Sequence, residues 1–220
     1  WPDYRPVVEN LEAVEHARLE YAALLTMCDD SLGRVLDAMD KHGLWQDTLL
    51  IVCTDHGFLL GERGWWGKIA QPWYNETINT PLFIWDPASA VSDERRDALI
   101  QTIDFGPTLL DHFGLQPTPD MQGRSILPVF ASGGALREAG LFGMFGGHTC
   151  LIDGRYIYMR ASVGPENAPL EEFTLMPTRM ERRFEPRELE NATLAAPFAF
   201  TKNVPVLKLS LIHISEPTRR

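Results

Sequence analysis

The chain has 220 residues, of which 45% are hydrophobic, and a formal net charge of −10 at neutral pH. This length allows one or two domains, and no segment has the length and apolar purity of a transmembrane helix. The acidic balance excludes a protein that binds nucleic acid non-specifically, because such binding needs a basic surface. It stays compatible with a small anionic ligand, since a few cationic groups or a metal ion can reverse the charge locally.

The first predicted element is a long amphipathic helix over residues 11–42. Gly43 follows the last periodic residue and is a natural helix stop. Gly33, inside the helix, is expected to mark a close packing contact. The apolar positions recur at steps of three and four; they are Val14, Ala17, Tyr21, Leu24, Leu25, Cys28, Leu32, Val35, Leu36 and Met39.

The stretch that carries chemistry follows, at residues 48–68, and reads T-L-L-I-V-C-T-D-H-G-F-L-L-G-E-R-G-W-W-G-K. Its apolar start predicts a strand buried on both faces, as in the middle of a parallel sheet. Asp55 and His56 then stand at the carboxyl end of that strand, where open α/β sheets bind ligands. A carboxylate oxygen and an imidazole nitrogen are suitable ligands for one divalent cation. Lys68 would place a positive charge nearby, as an anionic substrate requires.

A plainer interpretation of the same residues is a simple turn. Asp55 would then cap the next segment, and Gly57 would supply a positive φ. Spacing alone leaves the metal site and the turn open as alternatives.

Three cysteines, at positions 28, 53 and 150, indicate neither a disulfide framework nor a zinc signature. Cys53 lies in the apolar run and is expected to be a small core residue. Further along, the pattern predicts a strand over 82–85, a short helix from 92–94 through 100, and a helix over 105–113. Asp104 stands before the last of these and is expected to be a cap rather than a ligand.

The pattern changes after Ser132-Gly133-Gly134, where a small antiparallel subdomain is expected. Asp153-Gly154 is a strong hairpin signal. Short strand-like runs occupy residues 141–145, 149–152 and 156–160. Residues 171–194 are charged and helical in composition. His148 lies in a glycine turn from which it would reach over the active site, against the alternative of a solvated loop histidine.

Residues 54–68 resemble the sulfatase family of the alkaline-phosphatase superfamily. In that family a strand ends in S/T-D-H-G or S/T-D-N-G, followed by L-G-E/D-H and a Lys about a dozen residues past the Asp. Segments 21–45, 79–87 and 103–127 are similar to the family's preceding helix, following strand and D-x-x-P-T-L-L-D segment. The sequence L-L-G-E-R-G-W-W-G-K is similar to the branch of the family near phosphonate monoester hydrolases and arylsulfatases.

The resemblance implies an alkaline-phosphatase-like α/β fold: part of a mostly parallel sheet flanked by helices, plus the small antiparallel subdomain. It implies hydrolysis of a small anionic sulfate ester by a formylglycine nucleophile, with no nucleic-acid or membrane partner. Asp55 and His56 would be two metal ligands. The metal would be Ca²⁺, with Mn²⁺ or Zn²⁺ tolerating the imidazole equally. Lys68 would be the catalytic and substrate-binding cation, and His148 a second substrate contact.

The chain also departs from the family. Up to residue 208 it lacks the C/S-x-P-x-R motif from which formylglycine is made. We therefore expect a fragment, inactive alone, of a bacterial cytoplasmic or periplasmic enzyme. The predicted division is 1–131 for the α/β core, 132–208 for the subdomain and 209–220 for a non-native tail, which resembles a translated sequencing-library adapter. A phosphonate monoester or phosphodiester hydrolase, or a non-catalytic anion-binding relative, stays an alternative; the oligomeric state is open.

Overall fold

The computed structural model describes residues 5–68, 73–89, 91–164, 167, 170–176, 178 and 182–210. The chain divides into two compact units. Residues 1–96 with 130–133 form the first unit, and residues 97–129 with 134–220 form the second. The predicted boundaries at 131 and 208 stay predictions. Leu209 and Ser210 of the predicted tail close the last strand of the second unit, and residues 211–220 lie outside the described part.

The helices are α1 (Leu11–His42), α2 (Asn75–Ile78), α3 (Phe105–His112), α4 (Leu127–Ser132) and α5 (Pro186–Leu189). The strands of the first unit are β1 (Leu50–Cys53), β2 (Leu59–Leu60), β3 (Trp66–Gly67) and β4 (Leu82–Trp85). Those of the second are β5 (Gly140–Gly143), β6 (Thr149–Ile152), β7 (Ile157–Arg160), β8 (Glu171–Thr174), β9 (Thr193–Ala195) and β10 (Val206–Ser210). In the described part of the chain no helix is both long and apolar enough to cross a membrane.

Helix α1 confirms the prediction from periodicity, including its ends. The Asn10 side chain accepts a hydrogen bond from the Ala13 amide at 2.9 Å. Gly43 closes the helix with a left-handed φ of 64°, which costs a glycine little. Gly33, however, has open space around it, since a Cβ added there would meet no atom within 4 Å. The expected close contact is therefore not made by the described residues.

Strand β1 pairs with β4, and the pairing is antiparallel rather than parallel as expected. Leu50, Ile51 and Val52 are half-buried and Cys53 is exposed. The predictions of a strand buried on both faces and of a core Cys53 are therefore wrong. Within the described residues this sheet has two strands, so β1 lies at an edge and is not the central strand that burial on both faces is typical of.

The core of the first unit lies around the short β2–β3 pair. Leu59 and Trp66 are completely buried. The indole N–H of Trp66 donates to Glu9 Oε2 at 2.9 Å. Arg18 of α1 donates to the Leu60 carbonyl at 2.9 Å. These contacts attach the start of α1 to the loop that follows β1.

The second unit is organised around Asp104, which is fully buried. Its carboxylate accepts from the amides of Gln101 at 2.8 Å and Arg124 at 2.9 Å, and it pairs with Arg137 at 2.5 Å. Gln101 and Asp104 form a capping box before α3. The Asp104 side chain makes no capping hydrogen bond to α3 itself; its capping role is confined to the 3₁₀ turn Thr102–Asp104 that precedes α3.

The antiparallel strands of the second unit confirm part of the sequence interpretation. Strands β5, β6 and β7 form a meander, with Asp153-Gly154 at its second turn. The second sheet has the order β8-β10-β9. Among the described residues of 171–194, the two ends lie in strands β8 and β9, and the single turn α5 is the one helical element. The helical interpretation of that charged segment is wrong because both ends pair with β10.

The short helix predicted through residue 100 is also absent, since residues 94–100 form no regular element. Asp93 has a left-handed φ of 56°, which is incompatible with the extended backbone of a helix N-cap. Glu94 pairs with the Arg96 guanidinium instead of bonding back to the backbone of residues 92–94.

Candidate active site

The candidate site lies in the first unit, where the chain leaves β1. The chain leaves β1 through Gly57. The expectation that Gly57 has a positive φ is wrong, because its backbone is not left-handed. Its amide donates to the Thr77 carbonyl at 2.9 Å. A Cβ at Gly57 would lie 1.9 Å from the Glu76 carbonyl oxygen. The glycine is thus required by a close backbone approach, which fixes the two residues before it against α2.

Asp55, His56 and Lys68 converge on one ring nitrogen. Asp55 Oδ2 lies 3.3 Å from His56 Nε2. Lys68 Nζ lies 2.8 Å from the same Nε2. The structure therefore brings together three of the four residues that sequence analysis proposed for the site, although Lys68 is twelve residues past His56.

The orientation of the His56 ring is set by its other nitrogen. Nδ1 lies 2.9 Å from the Gly57 carbonyl, which accepts a hydrogen bond from it. Lys68 then donates to the lone pair of Nε2. In this arrangement Nδ1 is the protonated ring nitrogen and Nε2 is the acceptor. The Nε2 lone pair that a metal would need is taken by Lys68 in this structure.

The Asp55 carboxylate is held as an anion while remaining open to solvent. Desolvation raises its pKa, but the electrostatic effect of His56 and a 3.0 Å hydrogen bond from the His56 amide outweigh that effect. The pKa of Asp55 consequently lies below its usual range. Its side chain is 81% exposed, against 35% for His56, so the carboxylate is accessible to a ligand from solvent.

The spacing of Asp55 and His56 fits one divalent cation. Two ligands about 2.2 Å from a metal and at right angles lie about 3.1 Å apart, close to the 3.3 Å between Oδ2 and Nε2. The described residues supply no third partner, because none of them form a group of three His, Cys, Asp or Glu side chains suited to a metal. The described residues thus supply two ligands of a site that needs at least one more.

A second cation, Arg63, packs next to the site loop and was not assigned by sequence. It replaces the histidine common after G-E in the resembled family. Its guanidinium lies over the Tyr74 ring, with 5.3 Å to the centroid, and 3.6 Å from Glu76 Oε1. Arg63 has a left-handed φ of 58°. Its contacts connect the loop to α2.

His148 lies in the second unit, in the turn between β5 and β6. It is half-buried, and its carbonyl accepts from Cys150 Sγ at 3.8 Å. Burial raises the pKa of the Cys150 thiol. The prediction that His148 reaches substrate stays a prediction.

The sequence contains one stretch that fits the letters of the formylglycine motif: S-E-P-T-R at residues 215–219. It lies in the predicted non-native tail and outside the described residues. The nucleophile therefore has no candidate among residues 1–208.

The comparisons with known proteins agree on one family. The family model named Sulfatase matches residues 2–115. The chain is 34% identical over 115 residues to an N-acetylglucosamine-6-O-sulfatase of Bacteroides thetaiotaomicron, covering 52% of this chain and 20% of that protein. It is 37% identical over 122 residues to a multifunctional alkaline phosphatase superfamily protein of Trinickia caryophylli, covering 54% and 23%.

Among solved structures, the phosphonate monoester hydrolase of Silicibacter pomeroyi superposes with a TM-score of 0.62 at 25% identity, covering 70% of this chain and 34% of that one. This similarity confirms the alkaline-phosphatase-like α/β class. The chain spans between a fifth and a third of the length of these relatives.

Proposed function

We propose that this chain, which belongs to the sulfatase family, supplies one side of an active site that hydrolyses small anionic sulfate esters. The observation that carries the proposal is the convergence of Asp55, His56 and Lys68, with Asp55 and Lys68 each within 3.3 Å of one ring nitrogen of His56. A carboxylate, an imidazole lone pair and an ammonium at one point suit a divalent cation together with an anion.

In this proposal Asp55 and His56 hold the metal, with Ca²⁺ as the first candidate and Mn²⁺ or Zn²⁺ as alternatives. A bound cation of this kind supplies Lewis-acid stabilisation of charge on the sulfuryl oxygens. The chain contributes the ligand geometry, because the Gly57 carbonyl fixes the ring of His56 and directs Nε2 toward Asp55.

Lys68 serves as the fixed positive charge for the substrate. Its ammonium lies 2.8 Å from His56 Nε2, at the lone pair that the metal would take, so Lys68 would turn from Nε2 to the substrate when a metal is bound. A positive charge there stabilises negative charge that develops as the sulfate ester breaks. The formylglycine nucleophile is assigned to a part of the enzyme other than residues 1–208.

A phosphonate monoester or phosphodiester is the second candidate substrate. It is favoured by the similarity to the Silicibacter pomeroyi hydrolase and to the multifunctional Trinickia caryophylli protein. A non-catalytic, anion-binding role is the third. All three candidate functions use the same bound cation and Lys68. One experiment therefore tests the metal site that they share, and a second one tests which anion is bound.

The metal is tested by calorimetric titration of the full chain with CaCl₂, MnCl₂ and ZnCl₂. Asp55→Ala and His56→Ala should each weaken binding at least about tenfold. Asp47→Ala, an exposed acid outside the site, is the matched control and should bind as the wild type does. Equal binding by all four proteins would remove the metal assignment.

The anion is tested with inorganic sulfate and with phenylphosphonate in the presence of the metal. Lys68→Met should lose binding of both anions, while Lys68→Arg retains it. Sulfate bound more tightly than phenylphosphonate supports the sulfatase proposal, and the reverse order supports the second candidate. The full chain without the nucleophile should not turn over 4-nitrophenyl sulfate, and measurable turnover would contradict the proposed division of the site.

A further inference from the structure

Arg63 lies in the loop between β2 and β3 with a backbone conformation that glycine normally adopts. Its φ is 58°, in the left-handed region where a side chain costs conformational energy. Gly61 and Gly64 of the same loop are also left-handed, with φ of 91° and 73°. A non-glycine residue in such a turn indicates that its side chain makes contacts that offset the strain.

The described contacts of the Arg63 guanidinium are with the first turn of α2. The guanidinium lies over the Tyr74 ring, 5.3 Å from the centroid, and 3.6 Å from Glu76 Oε1. Tyr74 is the N-cap residue of α2, and its side chain makes no capping hydrogen bond. A helix of four residues is not stable by itself, so α2 depends on contacts of this kind to keep its position.

Glu76 needs a positive charge beside it. Its Oε2 is buried and accepts no hydrogen bond within the part of the chain that the structure describes. A carboxylate with a buried, unpaired oxygen carries a desolvation cost that a neighbouring cation offsets. Arg63 supplies that cation on the side of Oε1. The side chains of Arg63 and Glu76 are 57% and 33% exposed, so the pair adds little to global stability and its effect is local.

The first turn of α2 is also the surface against which the site loop rests. The Gly57 amide donates to the Thr77 carbonyl at 2.9 Å, and the Glu76 carbonyl oxygen lies so close to Gly57 that no Cβ fits between them. The Gly57 carbonyl in turn accepts from His56 Nδ1 at 2.9 Å. Consecutive contacts therefore run from Arg63 through Glu76 and Gly57 to the His56 ring.

We propose that Arg63 is a positioning residue for His56. Its guanidinium holds the first turn of α2 against Gly57, and the Gly57 carbonyl sets the direction of the His56 ring. This role differs from that of a second substrate-binding cation, because the described contacts of the guanidinium are with the chain's own α2. The consequence for metal binding rests on the proposed function, whereas the orientation of the ring does not require a metal.

Four variants separate the side chain of Arg63 from its backbone. Arg63→Gly removes the side chain with the least disturbance, because glycine suits a φ of 58°. Arg63→Lys keeps the charge beside Glu76 at the same backbone cost and is the conservative variant that should restore the wild-type behaviour. Glu76→Gln removes the charge of the other partner. Arg34→Ala is the matched control, since Arg34 is an exposed arginine of α1 that donates to Ser31 of its own helix.

The first test follows the ring nitrogens of His56 by long-range ¹⁵N–¹H NMR of the full chain without added metal. His56→Ala assigns the signals among the six histidines. The wild type should show the tautomer protonated on Nδ1. Arg63→Gly and Glu76→Gln should move the two nitrogen signals toward each other, as a ring that exchanges tautomers does, whereas Arg63→Lys and Arg34→Ala should keep the wild-type signals.

Wild-type nitrogen signals in Arg63→Gly would overturn the proposal. Should Arg63→Gly show no cooperative urea transition, the Glu76→Gln protein decides the result in the same way. Unchanged metal binding in Asp55→Ala and His56→Ala, together with an altered His56 ring in Arg63→Gly, would remove the metal assignment and leave the positioning role.

The second test separates positioning from substrate contact by two calorimetric titrations. Arg63→Gly should weaken CaCl₂ binding about threefold or more, less than the tenfold or greater effect of removing a direct partner of a metal ligand. Its affinity for inorganic sulfate at saturating metal should match that of the wild type, and Arg63→Lys should bind both as the wild type does. Weakened sulfate binding with unchanged CaCl₂ binding would assign Arg63 to the substrate and overturn the proposal.

Discussion

Asp55 and Asp104 are two aspartates at opposite extremes of solvent exposure. The Asp104 side chain is completely buried, and its carboxylate is occupied by two backbone amides and the Arg137 guanidinium. The Asp55 side chain is 81% exposed and is held mainly by the amide of His56. A buried carboxylate whose oxygens accept several hydrogen bonds from the protein stabilises the fold. An exposed carboxylate that is held in place by a single amide keeps oxygen lone pairs available to a ligand.

The largest difference should appear when each aspartate is replaced by alanine. Asp104→Ala leaves Arg137 buried without its partner, and we expect a loss of about 3–5 kcal/mol in the free energy of unfolding. Asp55→Ala removes an exposed group and should stay within about 0.5 kcal/mol. Urea unfolding followed by far-UV circular dichroism measures both. Similar losses for the two variants would abolish the distinction between them.

The next effect concerns the backbone that positions Asp55. Gly57→Ala places a Cβ 1.9 Å from the Glu76 carbonyl oxygen, so the strand exit must shift, at a cost of about 1–3 kcal/mol. Gly33→Ala is the matched control, because that Cβ meets open space in a helix interior and should stabilise by up to about 1 kcal/mol.

Urea unfolding followed by tryptophan fluorescence measures the stability of the first unit in both variants, since all six tryptophans lie between residues 1 and 85 and hence in that unit. A Gly57→Ala protein as stable as the wild type would show that the approach of Glu76 does not fix the site.

A smaller effect is expected for a third acid, Glu9, whose side chain is 22% exposed and so lies between Asp104 and Asp55 in solvent exposure. Hydrogen bonds from the Trp66 indole and from Arg5 lower its pKa to about 2. A depressed carboxyl pKa stabilises the fold above the unfolded value, and that stability is lost as the pH falls through the folded value. The contribution of Glu9 should thus be lost between about pH 4.5 and pH 2.

Glu9→Gln should flatten the stability of the first unit over that pH interval and leave its slope above about pH 5 unchanged. Urea midpoints from tryptophan fluorescence at several pH values measure the slope. An unchanged slope in the acid range would show that Glu9 is not held by Trp66 and Arg5.

The features that sequence predicts well are those with a local cause. The periodicity of α1 and its glycine stop depend on residues within a few positions of each other. The proximity of Asp55 and His56 follows from adjacency. Both the loop and the family resemblance placed the Lys68 charge near the site, but its contact with His56, twelve positions earlier, was not predicted because no local rule sets it.

The features that sequence missed depend on partners distant in the chain. The antiparallel pairing of β1 is made with β4, a strand distant in the chain, and the exposure of Cys53 depends on which elements pack on that sheet. Residues 171–194 have a helical composition, yet their two ends form strands that pair with β10. Gly57 is required by the carbonyl of Glu76, a contact that no turn propensity encodes.

The most direct test of the central claim, that Asp55, His56 and Lys68 surround one cation, is paramagnetic broadening by Mn²⁺ in a ¹⁵N-labelled full chain. We predict that amide signals of residues 54–58 and 68 broaden first, and that Asp55→Ala abolishes this broadening while Asp47→Ala does not. Broadening centred elsewhere, or equal broadening in the Asp55→Ala protein, would contradict the claim.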